Sequence, residues 1–136
     1  MPCVLRSVAM TSLATTGLDH VALVVADMQR SIAWYEDVLA MERRFADVWN
    51  GQGDPVVLCN GDACVALFEP VEGDPIAADG VNRHFAVRLD RANFTGARAA
   101  LAERGIEAEL WDHTICHSLY IRDPDGHQIE LTTYDV

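Results

Sequence analysis

Three residues of this chain have the types and placement for metal chemistry: His20, His84 and Glu130. His20 opens the apolar run Val21-Ala22-Leu23-Val24-Val25, and His84 opens Phe85-Ala86-Val87. Glu130 lies between Ile129 and Leu131, on the face it shares with Gln128 and Thr132 if the run is a strand. A carboxylate in a half-buried strand is costly unless paired or bound to a cation, whereas on a solvated face it needs neither. Each histidine likewise has an ordinary structural reading. Together, two imidazoles and one carboxylate on separate strands form the donor set of an open divalent-metal site, one that suits Mn, Fe, Ni or Zn. The three are spread over the whole chain, so the fold must bring them together.

Other side chains qualify by position. Ser118 and Tyr120 share a strand face and are candidate catalytic residues. His117 and His113 lie near Cys116 in a polar loop and strand start, and an imidazole there has the pKa of a general acid or base; His117 is the third catalytic candidate. His127, three residues before Glu130, faces away and reads as structural. Trp49 and Trp111 end their strands, either rimming a pocket or packing, and Arg122 meets an anionic substrate or a surface carboxylate.

The elements that must position these groups follow from periodicity and turn chemistry. A strand is predicted over Leu18 to Val25, with Asp27 as N-cap of a helix from Met28 to Ala40. Met28, Ile32, Tyr35 and Leu39 give that helix its apolar face, widened by Trp34 and Val38. Strands are predicted at Met41–Trp49, Pro55–Cys59 and Asp62–Phe68, and residues 70–80, with two prolines and two glycines, read as a linker. The order then repeats: a strand from Val81 to Leu89, a helix from Arg91 to Arg104 capped by Asp90 and stopped by Gly105, and strands at Ile106–Leu110, His117–Arg122 and His127–Thr133. Asp123-Pro124-Asp125-Gly126 is the turn before the last strand. The chain reads βαβββ, linker, βαβββ.

Composition narrows the function classes. At 136 residues this is one domain, half of it apolar. A net charge of −11 disfavours a polyphosphate partner, so no nucleic acid is expected. All ten basic residues are arginine, which removes lysine Schiff-base chemistry. No apolar run reaches the ~18 residues of a membrane span. Residues 3–10 are too short and broken for a secretion signal, so a cytoplasmic protein is expected, with Met10 as an alternative start. Cys3, Cys59, Cys64 and Cys116 contain no CxxC spacing. Cys59 and Cys64 flank the hairpin signal Asn60-Gly61-Asp62; they face each other if the loop is Gly61-Asp62 and are diagonal if it is Asn60-Gly61. In a cytoplasmic protein they are expected as free thiols.

Two pieces carry a family resemblance over residues 17–134: Gly17-Leu18-Asp19-His20-Val21 followed by Asp27 and Ser31-Ile32-Ala33-Trp34-Tyr35, and Asp123-Pro124-Asp125-Gly126-His127-Gln128-Ile129-Glu130. The chain resembles the vicinal-oxygen-chelate superfamily, which includes glyoxalase I, fosfomycin-resistance thiol transferases, extradiol dioxygenases and bleomycin-resistance binders. The resemblance implies an α+β fold, with two βαβββ modules forming curled mixed sheets around a central metal cleft. Residues 1–16 are then an N-terminal extension and 17–136 a single domain, with module 1 at 17–69 and module 2 at 81–134. It also implies that His20, His84 and Glu130 are the metal ligands, and that the protein is a homodimer whose sites draw on both subunits. The function it implies is a metal-dependent lyase or transferase that chelates two oxygens of a small molecule. The alternatives are an extradiol ring-cleaving dioxygenase and a metal-free drug- or metabolite-sequestering protein. Ala66 stands where glyoxalase I has a fourth, carboxylate ligand, and Glu69 would need a bulge to reach that face. Ala22 replaces a hydroxyl residue of the fosfomycin transferases, and no lysine is present for a phosphonate. Both departures argue against those two activities.

Overall fold

The computed structural model describes residues 13–76, apart from residue 15, and residues 83–136. Its first half contains β1 (Val21–Val24), α1 (Met28–Val38), β2 (Glu42–Arg44), β3 (Val56–Asn60) and β4 (Ala63–Phe68). The second contains β5 (His84–Arg88), α2 (Arg91–Glu103), β6 (Glu109–Asp112), β7 (His117–Arg122) and β8 (Gln128–Thr133). The repeat is exact in topology. Sheet 1 has the order β1-β4-β3-β2 and sheet 2 the order β5-β8-β7-β6, each with one parallel and two antiparallel pairings. Both sheets are open rather than curled around one shared cleft.

Local chemistry explains the element ends. The Asp27 carboxylate accepts from the Arg30 amide at 3.0 Å and Asp90 from the Asn93 amide at 2.8 Å, so each helix starts on its aspartate. Gly105, at φ +69°, ends α2 in the left-handed conformation that suits glycine. β2 is much shorter than the predicted Met41–Trp49 strand. Phe45 adopts φ +62°, and its carbonyl accepts from the Val48 and Trp49 amides at 3.0 and 2.8 Å. The chain therefore turns where period-two patterning continues. The predicted start of the fifth strand at Val81 and most of the N-terminal extension lie outside the described residues.

One apolar core serves both halves. Leu23, Val25, Tyr35, Leu58, Val65 and Leu67 from the first meet Phe94, Leu101, Leu119, Ile121, Ile129 and Leu131 from the second. The predicted apolar face of α1 packs on this core, and Phe94, Ala97 and Leu101 of α2 do the same.

The halves are also keyed together by the Asp-Pro-Asp-Gly turn. Asp123 is buried and accepts from the Tyr35 hydroxyl at 2.8 Å and from the amides of Asp125 and His127 at 3.0 and 2.9 Å. Asp125 accepts from the Ala26 amide and the Arg30 guanidinium, both at 3.2 Å, and from the Ser31 hydroxyl at 3.4 Å. His127 donates from Nε2 to the Val24 carbonyl at 2.8 Å, which bears out its structural reading. Arg122 donates to the Gly126 carbonyl at 2.8 Å and braces the turn. Burial pushes the Tyr35 phenol far up from its ordinary value, and the Asp123 carboxylate adds to the effect.

The cysteines correct the free-thiol expectation. β3 and β4 pair Asn60 with Ala63, so the loop is Gly61-Asp62 and Cys59 directly opposes Cys64. Their Cα atoms are 4.2 Å apart and the sulfurs are joined as a disulfide. Adjacent side chains on a non-hydrogen-bonded antiparallel pair stand closest together, which is why the bond can form. Cys116 is free and buried.

Candidate metal centre

The parallel pairing of β5 with β8 sets Ala86 beside Glu130 and His84 beside Gln128, all on one face of sheet 2. From there His84 leans along the sheet until its Nε2 is 2.9 Å from Glu130 Oε2. The two side chains are 28% and 13% exposed, so the pair is shielded yet reachable. The other carboxylate oxygen, Oε1, accepts from the Ser118 hydroxyl at 2.6 Å. Ser118 is itself fully buried and lies 3.2 Å from Thr132 Oγ1. It therefore stands behind Glu130 and fixes the orientation of that carboxylate.

Tyr120, opposite Glu130 on β7, stands edge-on to the His84 ring with centroids 5.6 Å apart. Burial raises its phenol, and the Glu130 carboxylate raises it further, so the hydroxyl keeps its proton. Its oxygen lies 3.2 Å from His113 Nε2. The Trp111 ring stacks on His113, with an interplanar angle of 12°. Of the two loop histidines, His113 is therefore the one that reaches the site. His117 does not: Nδ1 is 3.1 Å from Arg91 and Nε2 is 3.5 Å from Asp112. It lies on the opposite face of β7, toward Phe94 of α2. Strand alternation places it there, since it is one residue out of phase with Ser118 and Tyr120.

His20 lies elsewhere in the chain. It precedes β1, with Nδ1 2.7 Å from Asp19 Oδ2, and borders a cavity of about 340 Å³. Arg44, Phe45, Trp49, Phe68 and the Cys59–Cys64 pair also line that cavity. Trp49 thus rims a pocket, although from a turn and not a strand end. Among the described residues the donor atoms of His20, His84 and Glu130 do not gather within one chain.

One triad does gather within 4.8 Å: Asp123, Asp125 and His127. Its donors are already engaged by Tyr35, Arg30, Ser31, backbone amides and the Val24 carbonyl, so it is a structural joint. Sequence reasoning read the two aspartates only as turn residues and His127 as structural. The available signal was two hydroxyls, Ser31 and Tyr35, on the otherwise apolar face of α1, each needing a buried acceptor.

Comparison with known proteins agrees with this architecture. Residues 17–131 match the model of the Glyoxalase/Bleomycin resistance protein/Dioxygenase superfamily. The chain is 26% identical over 119 residues to the glutathione transferase FosA of Serratia marcescens, covering 84% of this chain and 78% of that one. It is 29% identical over 123 residues to the catechol-2,3-dioxygenase of Bacillus subtilis (strain 168), covering 85% of this chain but only 41% of that longer protein. Among solved structures, a glyoxylase/bleomycin resistance protein/dioxygenase domain from Frankia sp. EAN1pec superposes with a TM-score of 0.74 at 20% identity, covering 89% of this chain and 93% of that one. The fosfomycin resistance protein FosX of Listeria monocytogenes superposes with a TM-score of 0.70 at 16% identity, covering 88% and 94%. With its two matching βαβββ modules and a family match spanning nearly the whole chain, this protein belongs to the Glyoxalase/Bleomycin resistance protein/Dioxygenase superfamily.

Proposed function

We propose that this protein is a divalent-metal-dependent enzyme that engages a small oxygen-rich molecule through two of its oxygens, in lyase or transferase chemistry. The observation that carries the reading is the His84–Glu130 contact at 2.9 Å. An imidazole nitrogen and a carboxylate oxygen face each other, while Ser118 holds the other carboxylate oxygen. This donor set fits Mn, Fe(II), Ni or Zn, and the anchoring hydroxyl is the outer support such ligands need. When bound, the ion supplies Lewis-acid stabilisation of developing oxyanion charge. His20 of the partner subunit completes the ligand set in a homodimer. Tyr120, its proton retained, donates a hydrogen bond to a substrate oxygen, and His113 holds or accepts a proton at the Tyr120 hydroxyl. His117 takes no part.

A ring-cleaving dioxygenase is the second reading. It is supported by the similarity to a catechol-2,3-dioxygenase and by the aromatic walls that Phe45, Trp49 and Phe68 give the His20 cavity. A metal-free sequestering protein is the third, and the presence of His20, His84 and Glu130 weighs against it. Metal analysis of protein purified without an affinity tag separates these readings. Bound Ni or Zn supports the first, Fe or Mn with ring cleavage of a catechol the second, and a chain that binds no added ion the third.

The homodimer has its own test. Phe45, Val48 and Trp49 at one sheet, and Leu110, Trp111 and Ile115 at the other, are exposed apolar residues that a second copy would cover. Light scattering at micromolar concentration is expected to give twice the 15.0 kDa chain mass. A monomer at that concentration would remove the shared site.

Glyoxalase I turnover is expected to be absent. Ala66 is buried between Ala22 and Val57, and the β1–β4 and β3–β4 ladders run without a bulge, so Glu69 stays beyond the strand and exposed. Efficient conversion of a methylglyoxal–thiol adduct would contradict this.

A further inference from the structure

The disulfide in the His20 cavity is poorly placed to be a staple. It spans five residues across a hairpin that its own turn and backbone ladder already close, so it removes little freedom from the unfolded chain. It is well placed to react. Cys59 is 3% exposed, whereas Cys64 is partly open. The Arg44 guanidinium lies 3.9 Å from Cys64 Sγ and is anchored on the Gly61 carbonyl at 2.9 Å. Both cysteines line the cavity that His20 and Trp49 also line.

We propose that Cys64 is a site of reversible thiolation, where a low-molecular-weight thiol opens the Cys59–Cys64 bond and places its adduct in the His20 cavity. The thiolate of the incoming molecule attacks Cys64 Sγ, the sulfur it can reach, beside a fixed positive charge that favours an anion. The Cys59–Cys64 bond breaks, Cys59 leaves as a thiolate and takes a proton, and Cys64 carries a mixed disulfide. A second thiol attacks the outer sulfur of that adduct. It releases Cys64 as a thiol and departs with the first as a symmetrical disulfide. Two electrons and two protons pass from two small thiols to the cysteine pair. While the adduct persists, it occupies the space beside His20, so the cavity closes to other ligands. The proposal needs no metal at the site.

The test uses the whole protein, oxidised, with 2-mercaptoethanol as the thiol. Timed samples are acid-quenched, alkylated and peptide-mapped by mass spectrometry. The expected result is a transient mass shift of one mercaptoethanol on Cys64, with Cys116 unmodified. Cys59→Ala removes the resolving sulfur, so 2-hydroxyethyl disulfide should leave a stable adduct on the Cys64 peptide. Cys59→Ser serves if the alanine variant loses its melting transition. Reduction should also change tryptophan emission in wild type, with most of the change lost in Trp49→Phe. A disulfide that opens only in denaturant, an adduct on Cys59, or no adduct in either Cys59 variant would overturn the proposal. None of these readouts depends on metal, so they leave the reading of the His84–Glu130 site untouched.

Discussion

Asp123→Ala is expected to destabilise the fold by about 3–5 kcal/mol. The carboxylate is 5% exposed and accepts three hydrogen bonds, from Tyr35, Asp125 and His127. Its removal leaves a buried phenol and two amides without an acceptor. Tyr35→Phe removes only the donor and should cost about 1–2 kcal/mol. Because the two residues share one bond, the double variant should cost less than the sum of the singles. Urea unfolding measures all three. An Asp123→Ala loss below about 1 kcal/mol would mean that the turn does not hold the two halves together.

Tyr35 also sets an alkaline limit. Its folded pKa is raised above the unfolded value of 10.0 by burial, and then by the neighbouring Asp123 carboxylate. The contribution is therefore complete below about pH 10, where the phenol is protonated in both states. Above that the unfolded chain gives up the proton and the native one keeps it. Stability should fall by up to about 1.4 kcal/mol per pH unit from this group, and Tyr35→Phe should lose that part of the slope.

Glu130→Gln should abolish most of the stabilisation that Mn or Ni gives the wild-type protein. An ion present at a thousandfold excess over its Kd stabilises the native state by about 4 kcal/mol, because it binds no other state. Glutamine keeps the shape, and its amide oxygen can still accept from Ser118, so the metal-free fold should survive with stability near wild type. What it lacks is the negative charge that offsets a dication. Thermal melts of both proteins with and without metal read the difference. Equal metal-induced shifts would remove Glu130 from the ligand set and leave its contact with His84 as an ordinary hydrogen bond.

Much of this arrangement is legible in the chain. The period of α1, the aspartate caps and Gly105 place the helices to within a few residues, and alternation in β8 puts Glu130 and Thr132 on the face opposite Ile129 and Leu131. The same alternation separates His117 from Tyr120. Its polar neighbourhood suggested the site, but parity is the stronger guide on a regular strand. The end of β2 is less legible, since nothing local marks Phe45 for a positive φ; its ring instead packs edge-on against Trp49 at 5.4 Å. The disulfide hinges on a loop register one residue wide. The role of Asp123 and Asp125 depends on α1, some ninety residues away, and so lies beyond any local pattern.

The matching ladders let each half close its own sheet without the other. Val21 pairs with Val65 and His84 with Gln128, so each half closes its sheet over the same length of chain. Among the described residues no ladder crosses between the halves; they meet through core side chains, the Asp123 turn and the Arg104–Asp37 ion pair. Closing a shorter loop costs less entropy, so each sheet can assemble before the joint does. During synthesis the first sheet is complete once residue 68 has emerged. The second waits for β8, an interior strand, and the turn that docks on α1 arrives immediately before it. A nascent chain halted before residue 123 therefore carries one finished sheet, one lacking an inner strand, and a Tyr35 hydroxyl with no Asp123 to receive it.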